Sequence, residues 1–226
     1  MRPDELLQTI PKNYRPWLHL ATTAGSGLIV LGIACGFIEH LTAWELLTIP
    51  AVFVLANAAE WRAHKHLLHR RTFPFHILYD RHTPQHHVLY TFDRMAIESY
   101  RELKLVLVPA FGVAAIVLAI APPALLLGWL VSENAAWLVV ATGALYVVFY
   151  EVAHLSYHLP ASHPVSRWSL VRKLREQHRR HHDPRLMQRF NFNVTVPLWD
   201  WVRGTLISES QFVKITGEKQ LPRGSA

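Results

Sequence analysis

Residues 105–150 read LVLVPAFGVAAIVLAIAPPALLLGWLVSENAAWLVVATGALYVVFY, a run of 46 residues without a lysine or an arginine. As one helix the run would be about 69 Å long, roughly twice the ~30 Å hydrocarbon core of a bilayer. It therefore predicts two membrane-spanning helices, over about 103–121 and 134–153. Pro122-Pro123 and the polar residues 132–134 are both candidate breaks, so the residues between them could belong to either helix.

A second window without basic residues, 16–61, predicts two more spans over about 17–38 and 43–61. The turn between them carries Glu39 and Glu45 but no basic residue. We therefore predict an all-α fold, a four-helix transmembrane bundle built from two hairpins. It forms a single domain that covers the whole chain, 1–226.

All 23 lysines and arginines lie outside these two windows. By the positive-inside rule this places both termini and the segments 62–102 and 154–226 in the cytoplasm, as a helical cap on the bundle. The pattern predicts a multi-pass integral membrane protein, of the inner membrane if the source is bacterial. The net charge of +7 then faces anionic headgroups, and nucleic acid is not an expected partner. Gly32 and Gly36 form a small-xxx-small pair that favours close helix packing and is compatible with a homodimer.

Ten histidines form four clusters, and every cluster lies at or just beyond the predicted cytoplasmic end of a span. The clusters are His64-x4-His69, His82-x3-His86-His87, His154-x3-His158 and His178-x2-His181-His182. Ten imidazoles are too many for one metal ion and suit two, and imidazole binds iron, zinc and copper well. The clusters predict a dinuclear transition-metal site at the membrane surface, with no catalytic residue beyond the metal centre.

The spacings within the clusters indicate which histidines share a helix face. His82 and His86 are four apart and are predicted to lie on one face, with His87 beside them. His64 and His69 are five apart, which separates their directions by about 140° in an α-helix. Either the helix is irregular there, or the two residues bind different metal ions.

Four polar residues near the clusters are candidates for orienting the ligands. A carboxylate or amide oxygen that accepts the N–H of a ligating imidazole fixes its tautomer. Alternatively, the carboxylates are ordinary interfacial charges. The candidates are Glu60, Glu151, Asp183 and Asn193.

The order HX4H, HX3HH, HX3H, HX2HH resembles the membrane-bound fatty acid hydroxylase / sterol desaturase superfamily. The stretches YEVAHLSYH at 150–158 and LREQHRRHH at 174–182 are similar to the third and fourth boxes of its fatty acid 2-hydroxylase branch. The tail NVTVPLWDWVRGT at 193–205 is similar to the closing motif of the family. The second box departs from the branch, which usually has HX2HH.

The resemblance implies an enzyme, a non-haem diiron lipid monooxygenase with two iron ions held by the ten histidines. Zinc could replace iron in an isolated sample, since it competes well for nitrogen ligands. The implied reaction uses O2 and hydroxylates a membrane lipid, a fatty acyl or sphingolipid chain near its polar end. No cytochrome b5-like domain precedes the first predicted span, so we expect electrons from a separate cytochrome b5-like or ferredoxin-like protein.

Two alternatives stay open. Sterol or carotenoid oxidation would use the same metal centre. A membrane metal transporter belongs to a different class, and it is disfavoured because none of the ten histidines falls in the central third of a predicted span.

Overall fold

The computed structural model describes residues 2–218, and this part of the chain is helical without a β-strand. Residues 219–226 of the predicted cap lie outside the described residues. In chain order the α-helices are α1 Pro3–Gln8, α2 Pro16–Gly36, α3 Thr48–Ala63, α4 His76–Arg81, α5 His87–Leu89, α6 Leu103–Val106, α7 Ala110–Leu130, α8 Glu133–Tyr157, α9 Ser169–His181, α10 Leu198–Val202 and α11 Glu209–Thr216. Short 3-10 turns cover Glu45–Leu47, Tyr100–Glu102 and Pro164–Arg167, and π-helical turns cover His64–Leu68 and His82–His86.

Three helices among the described residues, α2, α7 and α8, are long and apolar enough to cross a membrane. The helix predicted over 43–61 is present as α3 but begins at Thr48, after the 3-10 turn. Its 16 residues rise about 24 Å, less than the hydrocarbon thickness of a typical bilayer. The four predicted helices are therefore present in the predicted order, and the second of them is the shortest. Three of the four qualify as candidate membrane spans.

The predicted end of the third span at Pro122-Pro123 is wrong. Both prolines lie inside α7, which continues to Leu130. The chain turns instead at Val131–Ser132, where the Ser132 hydroxyl accepts a hydrogen bond from the Ala135 amide and caps α8. The third span also begins later than predicted, because α6 ends at Val106 and Pro109 precedes the first residue of α7.

Helix α8 is the centre of the bundle and packs against α2, α3 and α7. Over half of its apolar window is buried, 56%, against 17% for α2 and for α7. Gly27 brings α2 close to α8, since a Cβ atom there would lie 2.6 Å from a methyl carbon of Val148. Gly32 and Gly36 face open space within the described chain, so they do not pack the bundle itself.

The end of the bundle remote from the histidines is held by one carboxylate. Glu45 accepts hydrogen bonds from Thr42, from the Ser132 hydroxyl and from Asn134. Asn134 also donates to the carbonyl of Glu39. These bonds join the turn between α2 and α3 to the turn between α7 and α8, so the two hairpins are fixed against each other.

Candidate metal centre

All ten histidines of the four clusters come together at one end of the bundle, and each is buried. α8 and α9, together with the residue that directly follows each of them, supply five of them, and the two π-helical turns with their flanking residues supply the rest. The exposed fraction of these side chains ranges from 0% to 9%. Burial of so many polar rings requires a compensating partner for their nitrogen atoms.

The first π-helical turn explains the spacing of five between His64 and His69. The His69 amide donates to the carbonyl of His64, five residues earlier. This i to i+5 bond brings both side chains to the same face, and their rings stack 5.0 Å apart. Of the two readings of this spacing, the irregular helix is the one observed.

The second π-helical turn, His82–His86, likewise brings two histidines that are five residues apart close together. The His87 amide donates to the carbonyl of His82, and the Nε2 atoms of these two residues lie 3.0 Å apart. The rings of His82 and His86 also stack, with their centroids 5.2 Å apart, so these two residues share a face as the spacing of four predicts. His86 points to a different group of ligands.

Nine of the histidines form two groups in which one nitrogen of each ring lies within 4.8 Å of the others. The first group is His64, His69, His82, His87 and His181, and the second group is His86, His154, His158 and His178. His182 belongs to neither, although its Nε2 atom is 3.1 Å from that of His178. The grouping fits two metal ions, one for each set.

Backbone carbonyls fix the tautomers of half of the rings. A carbonyl oxygen only accepts hydrogen bonds, so a ring Nδ1 that contacts it carries the proton, and Nε2 keeps a free lone pair. The pairs are His64 with Phe192, His86 with Leu105, His158 with Met95, His181 with Phe190 and His182 with Tyr90. The Nε2 atoms of these rings are thereby prepared to bind a metal.

Thr83 fixes a sixth ring. Its hydroxyl donates to the carbonyl of Leu68 and so accepts from Nδ1 of His69. The Nε2 atom of His69 is then an acceptor, and it lies 2.9 Å from Nε2 of His181, which is also an acceptor. Two lone pairs at this distance repel each other unless a cation lies between the groups. The donor set therefore fits a bound metal ion.

Burial also keeps the imidazoles neutral. Desolvation lowers the pKa of His86 and of His181 from the usual 6.5 to about 4. It lowers the pKa of His69 to about 2. A neutral imidazole is the form that binds a metal, so the site is ready for metal at neutral pH.

The four predicted orienting residues do not contact the imidazoles, and that expectation is wrong. Glu60 accepts from Val194, Thr195 and Tyr146, and Glu151 accepts from the amide of Val108. Backbone carbonyls and the Thr83 hydroxyl already occupy Nδ1 of six of the ten rings. Nδ1 of His87 and of His178 is buried without a hydrogen-bond partner among the described residues.

Asp183 and Asn193 likewise bond elsewhere. Asp183 pairs with Arg185, while the Asn193 side chain contacts the carbonyl of Asn57 and the amide of Asp200. Two of the four candidates act one step further from the rings. Glu60 and Asn193 hold the segment 192–195, whose Phe192 carbonyl accepts from His64.

Asp200 is a residue of this region that the spacing of histidines does not reveal. Its carboxylate is fully buried and accepts from the amides of Phe192 and Asn193 and from the Thr205 hydroxyl. Its presence in the closing motif, as the aspartate of Trp-Asp, was the available signal.

A narrow apolar cavity of about 90 Å³ leads to the histidines. Its apolar walls come from α4 and from the connection between α6 and α7, and include Leu78 and Leu107. His82 of the first group and His86 and His154 of the second lie in its lining, so the cavity reaches both. Two polar side chains, Arg81 and Gln85, also line it.

A family model described as fatty acid hydroxylase matches residues 49–205 of the chain. The matched region covers most of the chain and contains all ten clustered histidines. Comparison with curated proteins and with solved structures finds no match.

Proposed function

Because the chain belongs to the fatty acid hydroxylase family, we propose that it is a non-haem diiron enzyme that hydroxylates a lipid. The observation that carries this proposal is the pair of buried histidine groups at the end of an apolar cavity. The overall reaction converts a C–H bond, O2, two electrons and two protons into an alcohol and water. The family and the histidine groups support oxidative lipid chemistry, and the metal identity and the substrate are our proposals.

The two histidine groups would each hold one iron ion through ring nitrogens. Bound iron would supply the redox chemistry that activates O2. The protein contributes neutral ligands in fixed tautomers, because backbone carbonyls hold Nδ1 of rings such as His64 and His181. It also excludes bulk water, since every ligand is buried.

We propose that the substrate is a fatty acyl or sphingolipid chain that enters the cavity from the bilayer and is attacked near its polar end. Apolar walls suit a hydrocarbon chain, and Arg81 and Gln85 offer contacts to a polar end close to His82 and His86. A cavity of about 90 Å³ has room for only a few methylene groups beside the histidines, and a slender chain can place these there more easily than a rigid ring system. Sterol or carotenoid oxidation is therefore the second candidate within this chemistry.

We further propose that all four helices α2, α3, α7 and α8 cross the membrane and that the histidine end faces the cytoplasm. Three of them meet the length and hydropathy expected of a span, and the absence of basic residues from 16–61 and 105–166 supports the orientation. Electrons would come from a separate cytochrome b5-like or ferredoxin-like protein in the same compartment.

The test is a turnover assay with the purified full-length protein, loaded with iron and supplied with ¹⁸O2 and a reducing system. A panel of fatty acids, ceramides and sterols is offered, and products are located by mass spectrometry. We expect one ¹⁸O atom on a carbon near the polar end of an acyl chain. The His86→Ala variant should abolish turnover, whereas His76→Ala, which alters an exposed histidine outside both groups, should not.

A hydroxylated sterol as the sole product would contradict the proposed acyl substrate but would agree with the proposed metal centre. Oxygen at the terminal methyl end would contradict the proposed orientation of the chain. Absence of turnover in iron-loaded protein with every lipid would contradict the enzymatic proposal.

A further inference from the structure

A second cavity, larger than the one that reaches the histidines, lies at the outer surface of the histidine end. It has a volume of about 460 Å³ and is formed by the end of α3, the first π-helical turn and α10. Its lining contains the three cations Arg62, Lys65 and Arg203 and no carboxylate. We call it the basic cavity. Its volume lies within the range typical of small-molecule sites.

The cations of the basic cavity are not neutralised by the protein. Within residues 2–218, none of the three forms an ion pair with a carboxylate. Two of them lie instead over the ring of Trp61, with Lys65 Nζ 4.7 Å and the Arg203 guanidinium 5.4 Å from its centroid. A tryptophan face orients these groups without cancelling their charge, so the cavity keeps a positive potential.

Apart from His66, the remaining lining and the adjacent surface are apolar. Ala58, Ala59 and Trp199 complete the cavity on the side of α3 and α10. Beyond it, Leu55 on α3 and Trp201 on α10 are 68% and 71% exposed. Positive charge beside exposed tryptophan at the end of an apolar helix is the arrangement that meets the headgroup region of a bilayer.

We propose that the basic cavity binds the phosphate headgroup of an anionic membrane lipid. The phosphate pairs with Arg62, Lys65 and Arg203, and the acyl chains lie along the exposed apolar surface of α3. Each guanidinium group can donate two parallel hydrogen bonds to a pair of phosphate oxygens. The site is separate from the lining of the narrow cavity, with which it shares no residue, and it does not depend on the hydroxylase proposal.

The test uses the full-length protein in detergent and two short-chain probes, dioctanoyl phosphatidylglycerol and dioctanoyl phosphatidylcholine. Binding is measured by native mass spectrometry. The site variant is Arg62→Gln/Arg203→Gln, which leaves Lys65 beside the ligand His64 unchanged. The control variant is Arg172→Gln/Lys173→Gln, which removes two exposed charges from α9 at the same end of the molecule. Metal content reports whether each variant folds.

We expect the wild type and the control to prefer the phosphatidylglycerol probe. The site variant should lose this preference by a factor on the order of ten or more while keeping its metal. An unchanged preference in the site variant, or an equal loss in the control, would overturn the proposal.

Two further outcomes would also overturn the lipid assignment. In one, inorganic phosphate displaces the probe completely at equimolar concentration, which would mean that the acyl chains contribute nothing and the ligand is a free phosphate. In the other, the site variant keeps its lipid preference but no longer binds an acidic electron-transfer protein. That result would make the cavity a docking site for the redox partner.

Discussion

The Nε2 atom of His69 faces the Nε2 atom of His181 at 2.9 Å, and both atoms are hydrogen-bond acceptors. Thr83 holds the proton-bearing side of one ring and the Phe190 carbonyl holds that of the other. No proton is available to bridge the pair when both rings are neutral, so a cation is the partner that relieves the repulsion. This pair makes the metal requirement of the site testable.

Replacing His181 by alanine should lower the metal content from two ions per chain to about one, because the first group loses a ligand that faces His69. Elemental analysis of iron-reconstituted protein measures the number of metal ions per chain. His76→Ala provides the control, since His76 is exposed and belongs to neither group. Two ions in the His181→Ala protein would show that this residue is not a ligand.

Acid should remove the metal only at a pH well below the usual pKa of histidine. Burial sets the pKa of His86 and of His181 to about 4, below the usual 6.5. Between these values an unfolded chain binds protons that the folded one does not, so stability falls as the pH drops from 6.5 towards 4. We expect full metal content after dialysis at pH 6 and loss near pH 4. Loss already at pH 6 would indicate that the rings are hydrated rather than buried.

Asp200→Asn should destabilise the protein and loosen the metal site. The buried carboxylate holds the amides of Phe192 and Asn193, and the Phe192 carbonyl in turn orients His64. Weakening these charge-assisted bonds costs about 2 kcal/mol. Thermal denaturation in detergent and metal analysis test this, with the exposed Asp93→Asn as the control. Wild-type stability and metal content in Asp200→Asn would refute the role.

Leu78→Trp should block the narrow cavity without disturbing the metal. Leu78 lines the cavity, whereas its neighbour Ile77 is exposed and lies outside the lining. We expect lipid turnover to fall at least about tenfold in Leu78→Trp and to stay near wild type in Ile77→Trp, with equal metal content in both. Equal turnover in the two variants would mean that the lipid reaches the histidines by another route.

The proposed topology predicts that both termini are cytoplasmic. A reporter fused to the C-terminus that is active only in the cytoplasm should therefore be active in cells. A matched fusion in the turn near Glu45 should be inactive, because that turn lies at the opposite end of the bundle. Activity of the second fusion would show that this turn is cytoplasmic, and the proposed orientation or number of membrane spans would then be wrong.

The sequence predicted the helical hairpins and the meeting of the histidines because both depend on simple quantities. Long stretches without lysine or arginine define the apolar helices, and the parity of two hairpins brings all four clusters to one end. The turn at Val131–Ser132 was harder to locate, since two prolines inside α7 suggested an earlier break. Both prolines are exposed on the surface of the bundle, and proline is tolerated inside membrane helices.

The assignment of ligands to groups was not predictable from α-helical spacing. That His82 joins His87 rather than His86 depends on a π-helical turn, which has no strong sequence signal. The hydrogen-bond partners of the imidazole N–H groups could not be predicted from the sequence either. They are main-chain carbonyls such as those of Phe192 and Met95, and any residue type can supply such an oxygen.

The carbonyl that orients His64 also sets an order of events during biosynthesis. Phe192 lies 128 residues after His64. A nascent chain that has just completed α2 and α3 therefore carries His64 long before the ribosome has made the segment that fixes its tautomer. We therefore expect the first histidine group to be complete only after almost the whole polypeptide has been translated, so metal loading there would be one of the last steps of maturation.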